Sequence, residues 1–183
     1  MNPVTEDCVR ERLIQAVTQL AAVEAPHSVT MRQIADHAGV SPGLAYHYFD
    51  SRRALFGAAL DDMASRITQQ IGDSGDPAVT VVGIWEALEQ NRAFPRLLAS
   101  LTLEGEDVAT VMSEHPLLKA TAERAAADGH EDPATLAGCV GLLGLAGAFW
   151  GPAINGILGR APDEPALLDA VAVLLSDQAP DTA

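Results

Sequence analysis

The residues that most restrict how this chain can fold are 30–49, TMRQIADHAGVSPGLAYHYF, because they hold two helix starts and one helix stop. Thr30 is placed to cap a helix, and Gln33, three positions on, completes the reciprocal pair of a capping box. Gly39 ends that helix in the left-handed conformation that glycine adopts without strain. Ser41 caps the next helix, and Pro42 occupies its first turn, where a missing N–H costs nothing. This third helix ends near His47. Ile34, Ala35, Val40 and Leu44 can close a small core, and the alanines at 35 and 38 let two helices approach closely. Two short helices joined by one tight turn follow from local chemistry alone.

The flanks supply what such a pair needs to pack against. Residues 6–24 carry Val9, Leu13, Val17 and Leu20 on one helical stripe, widened by Ile14, Ala16 and Ala21. Asp50 and Ser51 start a fourth helix that runs through Leu55, Phe56 and Leu60 to about Ile71, where the run GDSGDP at 72–77 breaks it. Further helices are expected at 78–91, 94–112, 116–128, 134–158, with a kink at Gly151 and Pro152, and at 164–177. Pro95, Pro116, Pro133 and Pro165 fit early helical turns. No stretch alternates as a strand requires. The expected fold is all-α: a three-helix head at 1–60 containing a helix-turn-helix, then a larger helical domain at 61–183.

Charge permits nucleic-acid binding without supplying it. The net charge is −14, but residues 1–60 carry five arginines against six acids, and residues 61–183 carry six basic groups against nineteen acids. An acidic body on a nearly neutral head repels phosphate and helps orient the head toward it. Cys8 and Cys139 have no metal-ligand spacing, which fits a reducing cytoplasm and argues against a disulfide framework. The N-terminus lacks the features of a signal peptide. Residues 133–159 contain no charged side chain and are long enough to span a bilayer. Seven glycines, two prolines and Asn155 fall within them and no basic cluster flanks them, so they are read as a buried helix of a soluble fold.

In a helix-turn-helix the second helix lies in the major groove, with its first residues at the base edges. The recognition helix is then 41–47. Ser41, Pro42 and Gly43 form its N-terminal end, where free N–H groups favour a phosphate, and Gly43 permits close approach. Tyr46 and His47 are polar-tipped groups able to reach phosphate or base. Thr30 and Arg32 at the start of helix two, and Arg52 at the start of helix four, are candidates for the flanking backbone. Tyr48 and Phe49 are read as core, Arg10 and Arg12 as surface charges, and the cluster Glu104, Glu106 and Asp107 as a solvated face or turn.

This segment, with the following DSRRAL, closely resembles the DNA-binding domain of TetR-family regulators. The resemblance rests on Thr30, Ile34, Ala35, Ala38, Gly39, Val40, Ser41, Gly43, Tyr46, Tyr48, Phe49 and Leu55, and covers roughly 6–60. It implies an all-helical homodimer, usually a repressor, whose divergent C-terminal domain dimerises and binds a small-molecule effector that releases DNA. By position it makes Tyr46, His47 and Thr30 DNA-contacting residues and puts Arg52 where a phosphate-binding lysine is common. Arg53 departs from the pattern, since an acidic residue is frequent there.

No ligand-binding residue transfers by motif. The large apolar groups available for an effector pocket are Trp85, Phe94, Leu98, Leu101, Met112, Phe149 and Trp150. The last two helices of the family usually form a four-helix bundle across the dimer, which makes Gly141, Gly144, Ala148, Leu168, Val171 and Leu175 the interface candidates. His115 and His130 match no metal arrangement, and no metal or cofactor is expected. A small all-α enzyme is the first competing class, and the chain shows no Gly-rich phosphate loop after a strand and no histidine pair set for metal catalysis. A dimeric interaction protein without DNA affinity is the second. The expected partners are a near-palindromic duplex operator, a second copy of the chain and an unidentified small molecule, with no membrane.

Overall fold

A computed structural model of the protein describes residues 3–71, 77–161 and Ala170. Every regular element among them is helical: α1 (Pro3–Val23), α2 (Met31–Ala38), α3 (Pro42–Tyr48), α4 (Arg52–Ile71), α5 (Pro77–Gln90), α6 (Ala93–Leu103), α7 (Val108–Val111), α8 (Pro116–Ala127) and α9 (Pro133–Ile157). A single 3-10 turn at Pro26–Ser28 joins α1 to α2. The expected break at 72–76 and the expected helix at 164–177 (Ala170 apart) lie outside the described residues, and Leu168, Val171 and Leu175 lie outside with them.

The chain forms two compact units, Met1–Ser65 with Arg92–His115, and Arg66–Asn91 with Pro116–Ala183. In the first unit α1 packs on α2 and α6, and α2 packs on α3. Its core takes the stripe of α1, with Leu13, Val17 and Leu20 buried, together with Ile34, Ala35, Ala45, Phe49, Leu55, Phe56 and Leu60. Each large aliphatic side chain removed from water this completely contributes about 1.5–3 kcal/mol. Gly57 lies on the buried side of α4, and a Cβ there would stand 2.1 Å from the carbonyl oxygen of Val111. Glycine is what lets α7 sit against α4.

The expected single helix at 94–112 is two. The chain turns after Leu103 because Gly105 takes φ +82, its N–H donates to Thr102 O, and that of Glu106 donates to Leu101 O. Asp107 then caps α7 by accepting from Ala109 N at 3.1 Å. The segment after α5 is thereby held on the first unit. Arg96 donates to the carbonyls of Ala22 at 2.7 Å and Glu24 at 2.9 Å, near the end of α1.

In the second unit α9 packs against both α5 and α8. Its buried side is lined by small residues, Ala137, Gly141, Gly144, Gly147 and Gly151. A Cβ on Gly144 would meet Ile84 Cγ2 at 2.4 Å, and one on Gly147 would meet the Trp85 ring at 2.3 Å. Gly141 faces Leu118 of α8. α9 continues through Pro152, and Asp132 caps its start, accepting from Thr135 N at 3.1 Å and from Thr135 Oγ1 at 2.7 Å. By length and composition α9 could cross a membrane, with a third of its most apolar stretch buried.

Candidate nucleic-acid interface

The turn between α2 and α3 is built from the caps that the sequence implies. Thr30 N donates to Gln33 Oε1 at 2.9 Å and Gln33 N donates to Thr30 Oγ1 at 3.2 Å, which closes the capping box. At the other end of α2, Gly39 has φ +66, with its N–H on Asp36 O and that of Val40 on Ala35 O, a Schellman closure. Ser41 Oγ accepts from Leu44 N at 3.2 Å and opens α3 with Pro42 in the first turn.

This frame turns one edge of α3 outward. Ser41, Pro42, Gly43, Tyr46 and His47 are exposed, Tyr46 to 54%, while Ala45 and Phe49 are buried beneath them. Leu44 is half-buried, so between Leu44 and Ala45 only the former retains an outward surface. Tyr48, expected in the core, is half-buried, and the His47 ring meets its edge at 5.5 Å between centroids. A Cβ added to Gly43 would meet nothing within 4 Å. Packing within the chain therefore gives no reason for glycine in a helix, where it is less favourable than alanine by about 0.8–1 kcal/mol.

Thr30 and Arg32 are exposed on α2. The Thr30 hydroxyl also directs its proton to Gln33 Oε1 at 2.7 Å, so a phosphate has to compete for it. The Arg32 side chain is 83% exposed, and Asp36 at 4.0 Å is a loose partner one helical turn away.

Arg52 opens α4. Its guanidinium donates to the carbonyls of Pro26, His27 and Val29 at 3.2–3.3 Å and to Glu104 Oε2 at 2.5 Å, and it lies 4.8 Å from the Phe56 ring centroid. It is a strut between α4 and the turn that precedes α2. Arg53 donates to Glu106 Oε2 at 2.6 Å and to Thr110 Oγ1 at 2.6 Å. The acidic cluster lies in the turn between α6 and α7, as one of its two sequence readings had it, and within that turn Glu104 and Glu106 pair with arginines while Asp107 caps α7.

Arg10 and Arg12, read from sequence as surface charges, also have internal roles. Arg12 donates to Ala38 O and, at 3.3 Å, to Gly39 O, so α1 holds the end of α2. Arg10 lies 5.5 Å from the Phe49 ring centroid. Carbonyls freed at a helix end and glycine's open side are the signal for such a cap, but no local pattern links positions 12 and 38.

The pocket candidates fall in different units: Phe94, Leu98, Leu101 and Met112 in the first, Trp85, Phe149 and Trp150 in the second. Phe94, Leu101, Met112 and Trp85 are buried and Leu98 half-buried. Phe149 and Trp150 are exposed and meet edge to face at 5.3 Å. Gly141 and Gly144, expected at a dimer interface, are buried and face Leu118 of α8 and Ile84 of α5. Ala148 is half-buried. What α9 leaves uncovered is an apolar stripe of Leu142, Phe149, Trp150 and Ile157, with Ala146 and Ala153 between them.

Capped helices meeting at a tight glycine turn, with a polar edge presented by the second, define a helix-turn-helix protein. Residues 13–59 match the family described as bacterial regulatory proteins of the tetR family. The HTH-type transcriptional repressor Rv3405c of Mycobacterium tuberculosis is 28% identical over 114 residues, which cover 62% of this chain and 57% of that protein. The HTH-type transcriptional regulator BetI of Escherichia coli is 36% identical over 90 residues, covering 49% and 41%. The chain thus matches about half the length of these relatives. Among solved structures, a transcriptional regulator of Streptomyces coelicolor superposes with a TM-score of 0.66 at 16% identity over 92% of this chain and 97% of that one. The fatty acid degradation regulator FadR of Bacillus halodurans gives 0.63 at 18% identity over 91% and 93%. These two structures share the fold.

Proposed function

We propose that the protein is a cytoplasmic, homodimeric transcriptional repressor that binds a near-palindromic duplex and is released from it by a small-molecule effector. The observation that carries DNA binding is the outward edge of α3, where Ser41, Pro42, Gly43, Tyr46 and His47 are exposed over a buried anchor of Ala45 and Phe49. Inserted in the major groove, this edge brings Tyr46 and His47 to base edges and phosphates and lets the backbone at Gly43 approach closely. Thr30 and Arg32 take flanking phosphates.

The apolar stripe of α9 supports dimerisation, since exposed apolar area of this kind is unfavourable in water unless a partner covers it. Two-fold symmetry in the protein is mirrored by an inverted repeat in its site. A repressor that blocks transcription sterically needs no further surface. Effector binding is the family's usual mode of release, and in the first unit Phe94, Leu98, Leu101 and Met112 are the apolar groups at hand.

Selection of bound duplexes from a random library at moderate salt tests the reading. An enriched inverted repeat is the expected result, and the enriched duplex then serves to screen small molecules for release. Failure of the folded protein to enrich any sequence sinks the claim of a specific regulator.

A further inference from the structure

The arginines of the head differ in how firmly they are held, and that difference is informative. Arg52 has three carbonyls, one carboxylate and an aromatic face around it, and its side chain is 29% exposed. Arg53, the next residue, has one carboxylate and one hydroxyl, and is 42% exposed. Thr110 gives its own proton to Asp107 O at 2.9 Å, so its oxygen is free to accept from Arg53. Glu106 is itself 35% exposed. Ion pairs this open to water are individually weak and screened by salt.

Arg53 is also close to the proposed reading edge along the chain. It stands five positions after Tyr48, the last residue of α3, a stretch of at most about 18 Å. Duplex DNA carries one phosphate charge per about 1.7 Å of its axis, so a duplex held by α3 offers several phosphates over a distance of that size. A guanidinium pairs with phosphate as it does with carboxylate, by parallel N–H donors.

Resting on the DNA-binding reading above, we propose that Glu106 and Thr110 hold Arg53 as a phosphate-contacting arm in reserve. Glu106 stands in for phosphate and lowers the affinity of the head for DNA. Arg52 is the fixed strut that keeps the first turn of α4 in place whether or not Arg53 is released. Control of affinity then lies in the turn between α6 and α7, the segment that carries Glu106, rather than in the reading edge itself. Whatever shifts that turn changes how many phosphates the head can neutralise.

The test is a double-mutant cycle in the full-length chain, using the duplex that the wild-type protein enriches from a random library. Glu106→Gln keeps the shape and removes the charge. It is expected to tighten binding about three- to tenfold and to steepen the salt dependence by about 0.9 in logarithmic slope, the signature of one added phosphate contact. Arg53→Gln alone is expected to change affinity less than about twofold, and in combination it cancels the gain of Glu106→Gln. A gain that survives in the double variant means that Glu106 acts only through general repulsion, and overturns the proposal. Equal losses in both single variants with an unchanged slope mean that the pair is a strut, and also overturn it. If the wild-type protein retains no duplex at any salt, the DNA-binding reading itself fails and takes this proposal with it.

Discussion

The outward edge of α3 and the outward stripe of α9 are both surfaces that no described part of their own unit covers, yet they are made of opposite materials. On α3 the exposed groups are a hydroxyl, a proline, a glycine, a phenol and an imidazole. On α9 they are Leu142, Phe149, Trp150 and Ile157, with the last 85% exposed. A polar edge is stable in water and can meet its ligand intermittently. An apolar stripe loses about 25 cal/mol for each Å² left wet, so it calls for a standing partner. The contrast separates a surface used on demand from one meant to stay covered.

The largest effect expected from breaking this contrast comes from charging the stripe. Trp150→Glu with Ile157→Glu should raise the dimer dissociation constant more than about a hundredfold, close to 3 kcal/mol, as read by sedimentation. A dimer that persists would show that another surface joins the copies. The other face of α9 should respond differently. Gly147→Val drives a side chain into the Trp85 ring and should lower stability by about 1–3 kcal/mol or more in thermal unfolding. Such a variant unfolding at the wild-type temperature would mean that α5 and α9 are not held this closely.

On α3 the sharper probe is Gly43→Ala, because no atom of the chain opposes the new methyl. Stability should rise by up to about 1 kcal/mol while duplex affinity falls about tenfold. Unchanged affinity would remove the close approach assigned to Gly43. The smallest effect concerns acid. The hydroxyl of Thr135 donating to Asp132, followed by the backbone N–H of Thr135, holds the Asp132 carboxyl below the ordinary aspartate range. The stability this cap contributes is complete above the unfolded value, near pH 4, and declines as pH falls through the lower folded value. Melting temperatures of the wild type and Asp132→Asn should therefore converge on acidification. Parallel curves would deny the cap its carboxylate.

What was legible in the sequence is what local chemistry decides. Thr30 with Gln33, Gly39, and Ser41 with Pro42 act over a few residues, and each cap stands where its residue type implies. The stripe of α1 and the burial of Phe49 were legible for the same reason. The two faces of α9 were not, because both are apolar and side-chain volume, not polarity, decides which one turns inward. Gly144 and Gly147 are inside because Ile84 and Trp85 leave no room for a Cβ. Nor was the attachment of α6 and α7 to the first unit. Arg96 reaches Glu24 across 72 positions and Arg53 reaches Glu106 across 53, and no periodicity records such distances. The same limit hid the role of Arg12.

That arginine has a thermodynamic consequence. With α1 tied to the last carbonyls of α2, and the glycine turn closed by its own N–H groups, the proposed reading head meets a duplex already ordered. Little conformational entropy is left to lose on contact. Calorimetry of the association should accordingly record a heat-capacity change set by the apolar surface covered at the groove, without the additional large negative component that marks a segment folding as it binds.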